Sequence, residues 1–151
     1  MDIYQRLKDD HGKQRGLAAG LMETSGDSDE RRRLFAAFKD EVEAHAAAEE
    51  QTFYAALIAC TDGQDQARHS IAEHKDAADL IEEIEGTDMS HGGWLLKFEK
   101  LKEELEHHLK EEEDDVFPLA RKLISEREAR ELGERFDELK AEKLSSETAG
   151  S

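Results

Sequence analysis

The sequence predicts an all-α protein: an antiparallel, up-down-up-down four-helix bundle with an additional C-terminal helix. Charged residues make up 39% of the 151 residues and apolar residues 37%, and the chain has a single proline. Abundant Ala, Leu, Glu, Lys and Arg at helical spacing are typical of all-helical chains. Apolar residues recur three or four positions apart along four long segments, and the short breaks between them favour antiparallel neighbours.

The first two segments predict a helical hairpin. The first helix runs over about residues 2–24, and its inward face carries Tyr4, Leu7, His11, Ala18 and Leu21. After a break at residues 25–28, Asp27 and Glu30 form a predicted capping box for the second helix. That helix continues to about residue 59, and its inward stripe consists of Phe35, Phe38, Val42, His45, Glu49, Phe53 and Ala56.

The next two segments predict a second hairpin. The third helix covers about residues 64–85, and its inward face carries Ile71, His74, Ala78 and Ile81. The fourth helix begins near Trp94, and its stripe consists of Phe98, Leu101, Leu105, His108, Glu112 and Val116. Pro118 follows in the same pattern. Because proline removes a backbone donor and clashes with the preceding turn, we expect the helix to kink or end there.

A single domain is expected, since 151 residues suffice for one core. The bundle is predicted to occupy residues 1–123. A fifth helix is predicted over residues 124–144, starting at a capping box of Ser125 and Glu128. The small and polar residues 145–151 are predicted to form a disordered tail.

The two hairpins are predicted to be copies of one unit, about residues 3–59 and 66–122. Among seven histidines, two pairs could have the same separation by chance, so the evidence for a repeat comes from the flanking residues. Without a gap, residues of the same character recur 63 positions apart in His11/His74, His45/His108, Glu49/Glu112, Asp10/Glu73, Phe35/Phe98, Val42/Leu105, Glu50/Glu113 and Phe53/Val116. Self-similarity of this length indicates a repeated supersecondary unit.

The repeated histidines and glutamates form a predicted metal site. Residues four apart share one helix face, so His45 and Glu49 reach a common point. They replace apolar residues in the inward stripe, where a carboxylate without a partner is costly. One inward histidine alone is typical of a hydrogen-bonded core residue. Three inward donors in each of two repeated hairpins, six in all, indicate a two-metal centre. The predicted ligands are His11, His45, Glu49, His74, His108 and Glu112.

The remaining histidines and two neighbouring acids have other interpretations. His107 offers a rival register on the fourth helix, but the charged face around it predicts a solvated position. His69 and His91 are also predicted to lie outside the site. Glu50 and Glu113 directly follow the two glutamate ligands. We interpret them as surface acids, with orientation of the ligands as the alternative.

The ligand types favour a non-haem di-iron or di-manganese centre. Two histidines per metal and two shared carboxylates leave room for a bridging oxygen and an open position, unlike the closed tetrahedron of structural zinc. The His-x-x-x-Glu spacing also differs from the Glu-x-x-His motif of the ferritin-like bundles.

These motifs resemble the hemerythrin-like proteins of the HHE cation-binding family over about residues 3–123. The resemblance rests on Asp10-His11, on the segment from His45 to Tyr54, on Glu73-His74, and on the segment from His108 to Pro118. It implies two iron ions joined by an oxo or hydroxo bridge, with manganese or zinc as substitutes. Glu49 and Glu112 would bridge the ions, and the four histidines would be terminal ligands. The oxygen carriers have a fifth histidine, four positions from another on the third helix. Here Ser70 and Ala78 stand four positions from His74, so reversible oxygen transport is not expected.

Charge and composition limit the partners. The net charge of −17 argues against nucleic acid and anionic membranes, because both require clustered basic residues. The sequence contains no apolar run long enough to span a membrane and no signal-peptide core after Met1. Cys60 is the single cysteine, so no intrachain disulfide is expected. These features predict a cytoplasmic protein.

The predicted partner is a small-molecule oxidant (O2, H2O2 or NO) that binds to or reacts with the two-metal site, in keeping with a role in oxidative stress. The sequence leaves open whether the protein turns this oxidant over as an oxidoreductase. One alternative is a module that signals iron or oxygen to a protein partner through metal-dependent stability. Another is iron storage or binding without turnover.

Overall fold

A computed structural model describes residues 1–149 as a bundle of helices. In chain order the elements are α1 (Ile3–Met22), α2 (Asp29–Glu49), a π-helical turn (Glu50–Tyr54), α3 (Ala55–Ile58), a 3-10 turn (Thr61–Gly63), α4 (Gln64–Glu85), α5 (Gly93–Glu111), a second π-helical turn (Glu112–Val116), α6 (Phe117–Leu123) and α7 (Glu126–Ala149). The π turns connect α2 to α3 and α5 to α6 without a break. The predicted helical bundle with an additional C-terminal helix is confirmed.

Side-chain caps fix where the helices begin. Asp2 and Ser125 cap α1 and α7, each by accepting a hydrogen bond from the backbone N–H three residues later. The cap of α2 is Ser28, whose hydroxyl accepts from the backbone N–H of Arg31 at 3.1 Å. The prediction of Asp27 as the cap is wrong, because the chain becomes helical only at Asp29.

Each hairpin contains a π-helical turn that the sequence analysis did not predict. The turns cover Glu50–Tyr54 and Glu112–Val116. A π turn places one extra residue in the helix, and such turns concentrate at functional sites. Two consecutive side chains therefore face the core after the predicted ligand Glu49, and both Phe53 and Tyr54 are fully buried.

Pro118 does not end the fourth helical segment. The helix continues through α6 to Leu123, and Pro118 lies in the first turn of α6, where its missing N–H is tolerated. The change of helical register takes place in the π turn directly before it. The predicted kink or end at Pro118 is therefore replaced by a π turn at Glu112–Val116.

Helix α7 covers one side of the bundle, against α1 and α2. Phe136 lies fully buried in this interface. Gly133 allows the close approach to α1, because a Cβ at this position would come within 2.6 Å of the carbonyl oxygen of Met1. Helix α4 lies on the uncovered side, and Ala78, predicted to face inward, is exposed.

The described part of α7 is longer than predicted. The helix extends beyond residue 144 and includes residues 145–149, which were predicted to belong to a disordered tail. Glu147 lies against the helix surface and pairs with Lys143, one turn earlier, at 3.9 Å. Pairs at this spacing support helices. Residues 150 and 151 of the predicted tail lie outside the described residues.

The core consists of two apolar clusters separated by a polar layer. One cluster includes Tyr4, Leu7, Phe53, Phe117 and Phe136, and the other includes Ala18, Leu21, Phe38, Phe98 and Leu105. Along α1, the buried residues Asp10, His11 and Gln14 lie between the two clusters. Within residues 1–149, none of the helices has the length and apolar character that a membrane span requires.

Candidate metal centre

Six donor side chains meet in the polar layer, and all six were predicted as ligands. Their ligand atoms form two groups, each with all atoms within 4.8 Å of one another, composed of His11, His45, Glu49 and Glu112 and of Glu49, His74, His108 and Glu112. The two groups share both glutamates. The arrangement therefore has room for two ions that share Glu49 and Glu112 as ligands.

Each of the two glutamates lies between two imidazoles. For Glu49, Oε1 is 3.1 Å from Nε2 of His74, and Oε2 is 3.5 Å from Nε2 of His45. The Glu112 carboxylate repeats this arrangement, with its oxygens 2.9 Å and 3.5 Å from Nε2 of the other two histidines. All four Nε2 atoms thus face the carboxylate oxygens in the interior of the bundle.

Burial and missing hydrogen bonds test whether these residues fit a metal ion. Glu49 is 0% exposed, yet neither of its carboxylate oxygens has a hydrogen-bond partner within the described chain, and Nε2 of His45 has none either. Buried polar atoms without partners are costly. Coordination to a metal would satisfy all three atoms, and imidazole with carboxylate is a donor set suited to iron, manganese and zinc. The residues fit.

A surrounding set of four acids orients the four imidazoles. Each ring donates its Nδ1–H to one carboxylate, in the pairs His45–Asp10 at 2.7 Å, His74–Glu50 at 2.8 Å, His108–Glu73 at 2.9 Å and His11–Glu113 at 2.7 Å. This bond fixes the ring orientation and leaves the Nε2 lone pair for a metal. The pairs correspond through the internal repeat, because equivalent residues lie 63 positions apart. His45–Asp10 corresponds to His108–Glu73, and His11–Glu113 corresponds to His74–Glu50.

The orienting acids were only partly anticipated from the sequence. The interpretation of Glu50 and Glu113 as surface acids is wrong, because each accepts a hydrogen bond from a ligand histidine. The alternative, ligand orientation, describes their contacts. Asp10 and Glu73 were recognised as members of the repeat and of the family motifs, but no orienting role was assigned to them. Their position directly before His11 and before its repeated counterpart was the available signal.

The centre has two equivalent halves, one with His45 and Asp10 and the other with His108 and Glu73. These two half-sites differ in what surrounds their orienting acids. Asp10 is buried, and its Oδ1 accepts hydrogen bonds from Lys140 Nζ at 2.9 Å and from Arg6 Nη1 at 2.6 Å. Glu73 is partly exposed and has no lysine or arginine partner in the described residues; Nε2 of His69 lies 3.6 Å from its Oε2. One half-site is therefore closed by α7, and the other borders solvent.

The carboxylates change the proton affinity of the histidines. Burial opposes protonation of His45 and His74, but their contacts with carboxylates, Glu49 foremost, raise the pKa of His45 to about 9 and that of His74 to about 10. Burial opposes ionisation of Glu49, but the two histidines hold its pKa well below the ordinary value. Burial and repulsion from Glu49 raise the pKa of Glu112.

Tyr54 contributes a hydroxyl to the centre, which the sequence analysis missed. The hydroxyl donates a hydrogen bond to Oε2 of Glu112. Burial and the nearby Glu112 carboxylate raise the pKa of Tyr54 well above its ordinary value, so the phenol keeps its proton. The π turn at Glu50–Tyr54 places this side chain next to the ligands.

A cavity of about 350 Å³ connects the centre with the surface between α2, α4 and α5. Three of the predicted ligand histidines line it, namely His45, His74 and His108. Its walls include Val42, Ala77, Leu105 and Leu109, and exposed charged residues, among them Asp76, Glu103 and Glu104, stand at its opening. A small uncharged molecule can therefore approach the ligands through a mainly apolar passage.

The remaining histidines lie outside the centre, as predicted. The side chains of His107 and His69 are 73% and 55% exposed, and both approach Glu111, at 3.3 Å and 3.0 Å. His91 lies in the connection between α4 and α5, where its Nδ1 accepts from the backbone N–H of Gly93.

The raised histidine pKa values predict proton release when metal binds. A metal must displace the protons that His45 and His74 hold at neutral pH, so loading at pH 7 should release about two protons per chain from these residues. Since their pKa values are about 9 and about 10, the release should remain near its full value at pH 8 and fall as the pH approaches 9.

This prediction is checked by adding Zn²⁺ to metal-free protein in weak buffer and titrating the released acid, with a protein-free blank. The same protonation stabilises the metal-free fold at low pH, and this stabilisation is lost as the pH rises through the folded-state pKa values. Release that already disappears above pH 7.5 would mean ordinary histidine pKa values and would contradict the prediction.

Comparisons with known proteins identify the family and the fold. A family model described as the hemerythrin HHE cation binding domain matches residues 2–120. The fold is similar to the crystal structure of a hemerythrin HHE cation binding domain-containing protein from Mycobacterium kansasii, with a TM-score of 0.87 and 29% sequence identity, over 97% of this chain and 89% of that chain. None of the curated proteins matches the chain.

Proposed function

Because the chain belongs to the hemerythrin HHE cation-binding domain family, we propose that it binds two iron ions and reacts with a small oxidant, O2, H2O2 or NO. A metal-binding role is common to the family description and to the His and Glu groups of this chain. The identity of the metal and the reaction are our proposal. The observation that carries it is the convergence of six buried donors around the unpartnered carboxylate oxygens of Glu49.

The proposed ligands are His11, His45, His74 and His108, with Glu49 and Glu112 shared between the ions. Bound iron would supply reversible one-electron steps at each ion and coordination positions for a small ligand. The protein holds the four Nε2 atoms toward the ions through the Nδ1–H bonds to Asp10, Glu50, Glu73 and Glu113. The four rings are therefore oriented before metal binds, which favours retention of both ions.

Other residues support reaction with a small molecule rather than with a large substrate. The cavity between α2, α4 and α5 reaches three of the histidines, and its walls at Val42 and Leu105 are apolar, which suits O2, NO and H2O2. Tyr54 holds a proton against Oε2 of Glu112. Because burial and the Glu112 carboxylate keep the proton on the phenol, this hydroxyl holds a shared carboxylate in place next to the proposed ions.

The ligand set also favours irreversible reaction over oxygen carriage. Ser70 and Ala78 stand four positions from His74, and the additional histidines in the described chain point to Glu111 or lie in the α4–α5 connection. Each proposed ion therefore has two histidines and two shared carboxylates. With no additional histidine on one side, both ions keep a position for the oxidant.

The prediction is that reduced, iron-loaded protein consumes at least one of the three oxidants and does not return to its starting state when the oxidant is removed. Metal analysis should give two ions per chain, and the near-ultraviolet spectrum should change on oxidation. Electrodes for O2 and NO measure the consumption, and O2 evolution from H2O2 reports a peroxide-clearing reaction. His91→Ala protein should behave like the wild type, since His91 lies outside the centre.

Two outcomes would count against the proposal. Failure of the two-iron protein to react with O2, H2O2 or NO would leave a metal-binding protein without oxidant chemistry. A spectrum in O2 that reverts to the reduced spectrum on deoxygenation would identify a reversible carrier.

A further inference from the structure

A second cluster of metal-binding residue types lies outside the centre, on the surface of α4 and α5. This outer cluster consists of His69, Glu73, His107 and Glu111. Nε2 of His69 is 3.0 Å from Glu111 Oε1 and 3.6 Å from Glu73 Oε2, and Nε2 of His107 is 3.3 Å from Glu111 Oε2. Ligand atoms of His69, Glu73 and Glu111 all lie within 4.8 Å of one another.

The outer cluster has the same donor chemistry as the centre. His69 and Glu73 on α4, and His107 and Glu111 on α5, each form a His-x-x-x-Glu pair, so each helix presents an imidazole and a carboxylate on one face. Imidazole together with carboxylate suits a divalent first-row transition ion better than Ca²⁺ or Mg²⁺, which prefer oxygen ligands. Solvent at the exposed histidines can complete the coordination.

An independent observation comes from the internal repeat. The residues 63 positions before His69, His107 and Glu111 are Arg6, Ala44 and Ala48, so the outer cluster exists only in the second hairpin. In the first hairpin, the orienting acid Asp10 is bound by Arg6 and by Lys140 of α7. In the second hairpin, the corresponding acid Glu73 has histidine and glutamate neighbours and no lysine or arginine partner in the described chain.

We propose that His69, Glu73 and Glu111 bind a third divalent transition-metal ion, which takes the place at Glu73 that Arg6 and Lys140 take at Asp10. His107, with its Nε2 at 3.3 Å from Oε2 of Glu111, is the neighbouring imidazole. Glu73 connects this ion with the centre. Its Oε1 accepts the Nδ1–H of the ligand His108 at 2.9 Å, while its Oε2 faces His69. One carboxylate is thus shared between the outer cluster and the orientation of an inner ligand.

The location of the outer cluster assigns it a role in metal loading. Glu73 and His107 also line the cavity that leads to His74 and His108, so an ion held here stands at the mouth of the passage to the centre. The net charge of −17 raises the local concentration of cations at such a surface. This loading role rests on the proposed two-metal centre, whereas the existence of the outer site does not.

The binding test counts Zn²⁺ per chain by equilibrium dialysis and metal analysis, supported by calorimetric titration. Wild-type protein and the exposed-histidine control His91→Ala should bind three ions. His69→Ala/His107→Ala should bind two, because the imidazoles of the outer cluster are gone and the six inner donors remain. Both substitutions are at exposed side chains, so the fold is preserved.

A variant without the central carboxylates separates the two sites. Glu49→Ala/Glu112→Ala should retain one ion, held by the outer cluster. Equal stoichiometry in wild-type and His69→Ala/His107→Ala protein overturns the outer site. If the proposed centre fails instead, Glu49→Ala/Glu112→Ala will match the wild type while the histidine variant still binds one ion fewer.

The loading role is tested by the rate of Fe²⁺ uptake into metal-free protein under anaerobic conditions, followed by metal analysis after rapid gel filtration. With less than one Fe²⁺ per chain, His69→Ala/His107→Ala should fill the centre roughly tenfold more slowly than wild type and His91→Ala, because the imidazoles that hold an ion at the mouth of the cavity are lost. The final content of the centre should be unchanged. Equal uptake rates overturn the loading role.

Discussion

Glu49→Ala is expected to remove both metal ions from the centre. Glu49 belongs to both donor groups, with one carboxylate oxygen near His74 and the other near His45. Loss of this side chain removes a ligand from each ion at once, whereas loss of one histidine weakens a single ion first. Glu112→Ala should have the same effect, because Glu112 occupies the equivalent place in the second hairpin.

The consequence for stability follows from mass action. An ion that binds only the folded state at roughly 100 times its dissociation constant stabilises that state by about 2.7 kcal/mol. Wild-type protein should therefore unfold at a clearly higher temperature with metal than without it, and Glu49→Ala should lose the part of this difference that the centre contributes and keep only the part from the outer cluster. Metal analysis and thermal unfolding, each with and without added metal, provide the two measurements.

The matched control is Glu103→Ala, an exposed acid at the opening of the same cavity. It removes the same functional group from the surface, so it should keep both central ions and the metal-dependent stabilisation. Retention of one tightly held central ion in Glu49→Ala would show that the glutamate is not shared, and two separate single-metal sites would then replace the paired centre.

The residues that the sequence identified best are those whose position conflicts with their chemistry. His45 and Glu49 stand in a stripe of apolar residues, and His108 and Glu112 repeat this conflict 63 positions later. Helical periodicity determines which side chains face inward, so the bundle and the six inner donors follow from spacing alone. Solvated partners such as His69 and His107 give no such conflict, because charged residues on an exposed face are common.

The features that were missed depend on contacts between distant segments. The π turns change the helical register by one residue, and the spacing of apolar residues in the sequence did not predict them. Lys140 looks like any lysine of a charged helix, yet it is 5% exposed and reaches Asp10 across 130 positions of chain. Helical periodicity reports which face a residue occupies on its own helix, but not which side chain it meets on another.

Helix α7 covers one side of the bundle and also contacts residues of the candidate centre through two of its side chains. Phe136 packs edge-to-face against the His45 imidazole, with ring centroids 5.4 Å apart. Lys140 donates to Asp10 at 2.9 Å and to Glu41 at 2.5 Å, and Asp10 in turn accepts the Nδ1–H of His45. A chain of buried contacts therefore runs from α7 to a proposed ligand.

Lys140→Met is expected to lower the free energy of unfolding by about 3 kcal/mol, because it leaves Asp10 and Glu41 buried without their shared cation. The value lies at the lower end of the range for buried pairs, since Arg6 still binds Asp10 and Lys13 still binds Glu41. The affinity for Zn²⁺ should also fall about tenfold, because Asp10 no longer holds His45 as firmly.

Lys13→Ala is the matched control, because Lys13 binds the same glutamate at 3.2 Å but is 60% exposed, and an exposed pair contributes less than about 1 kcal/mol. Lys140→Arg keeps the charge and should restore much of the metal affinity, which a purely structural defect would not allow. Denaturant unfolding and Zn²⁺ titration measure the two effects. If Lys140→Met and Lys13→Ala destabilise the protein equally, the buried network does not hold α7 to the centre, and if only stability changes, Lys140 does not act on His45.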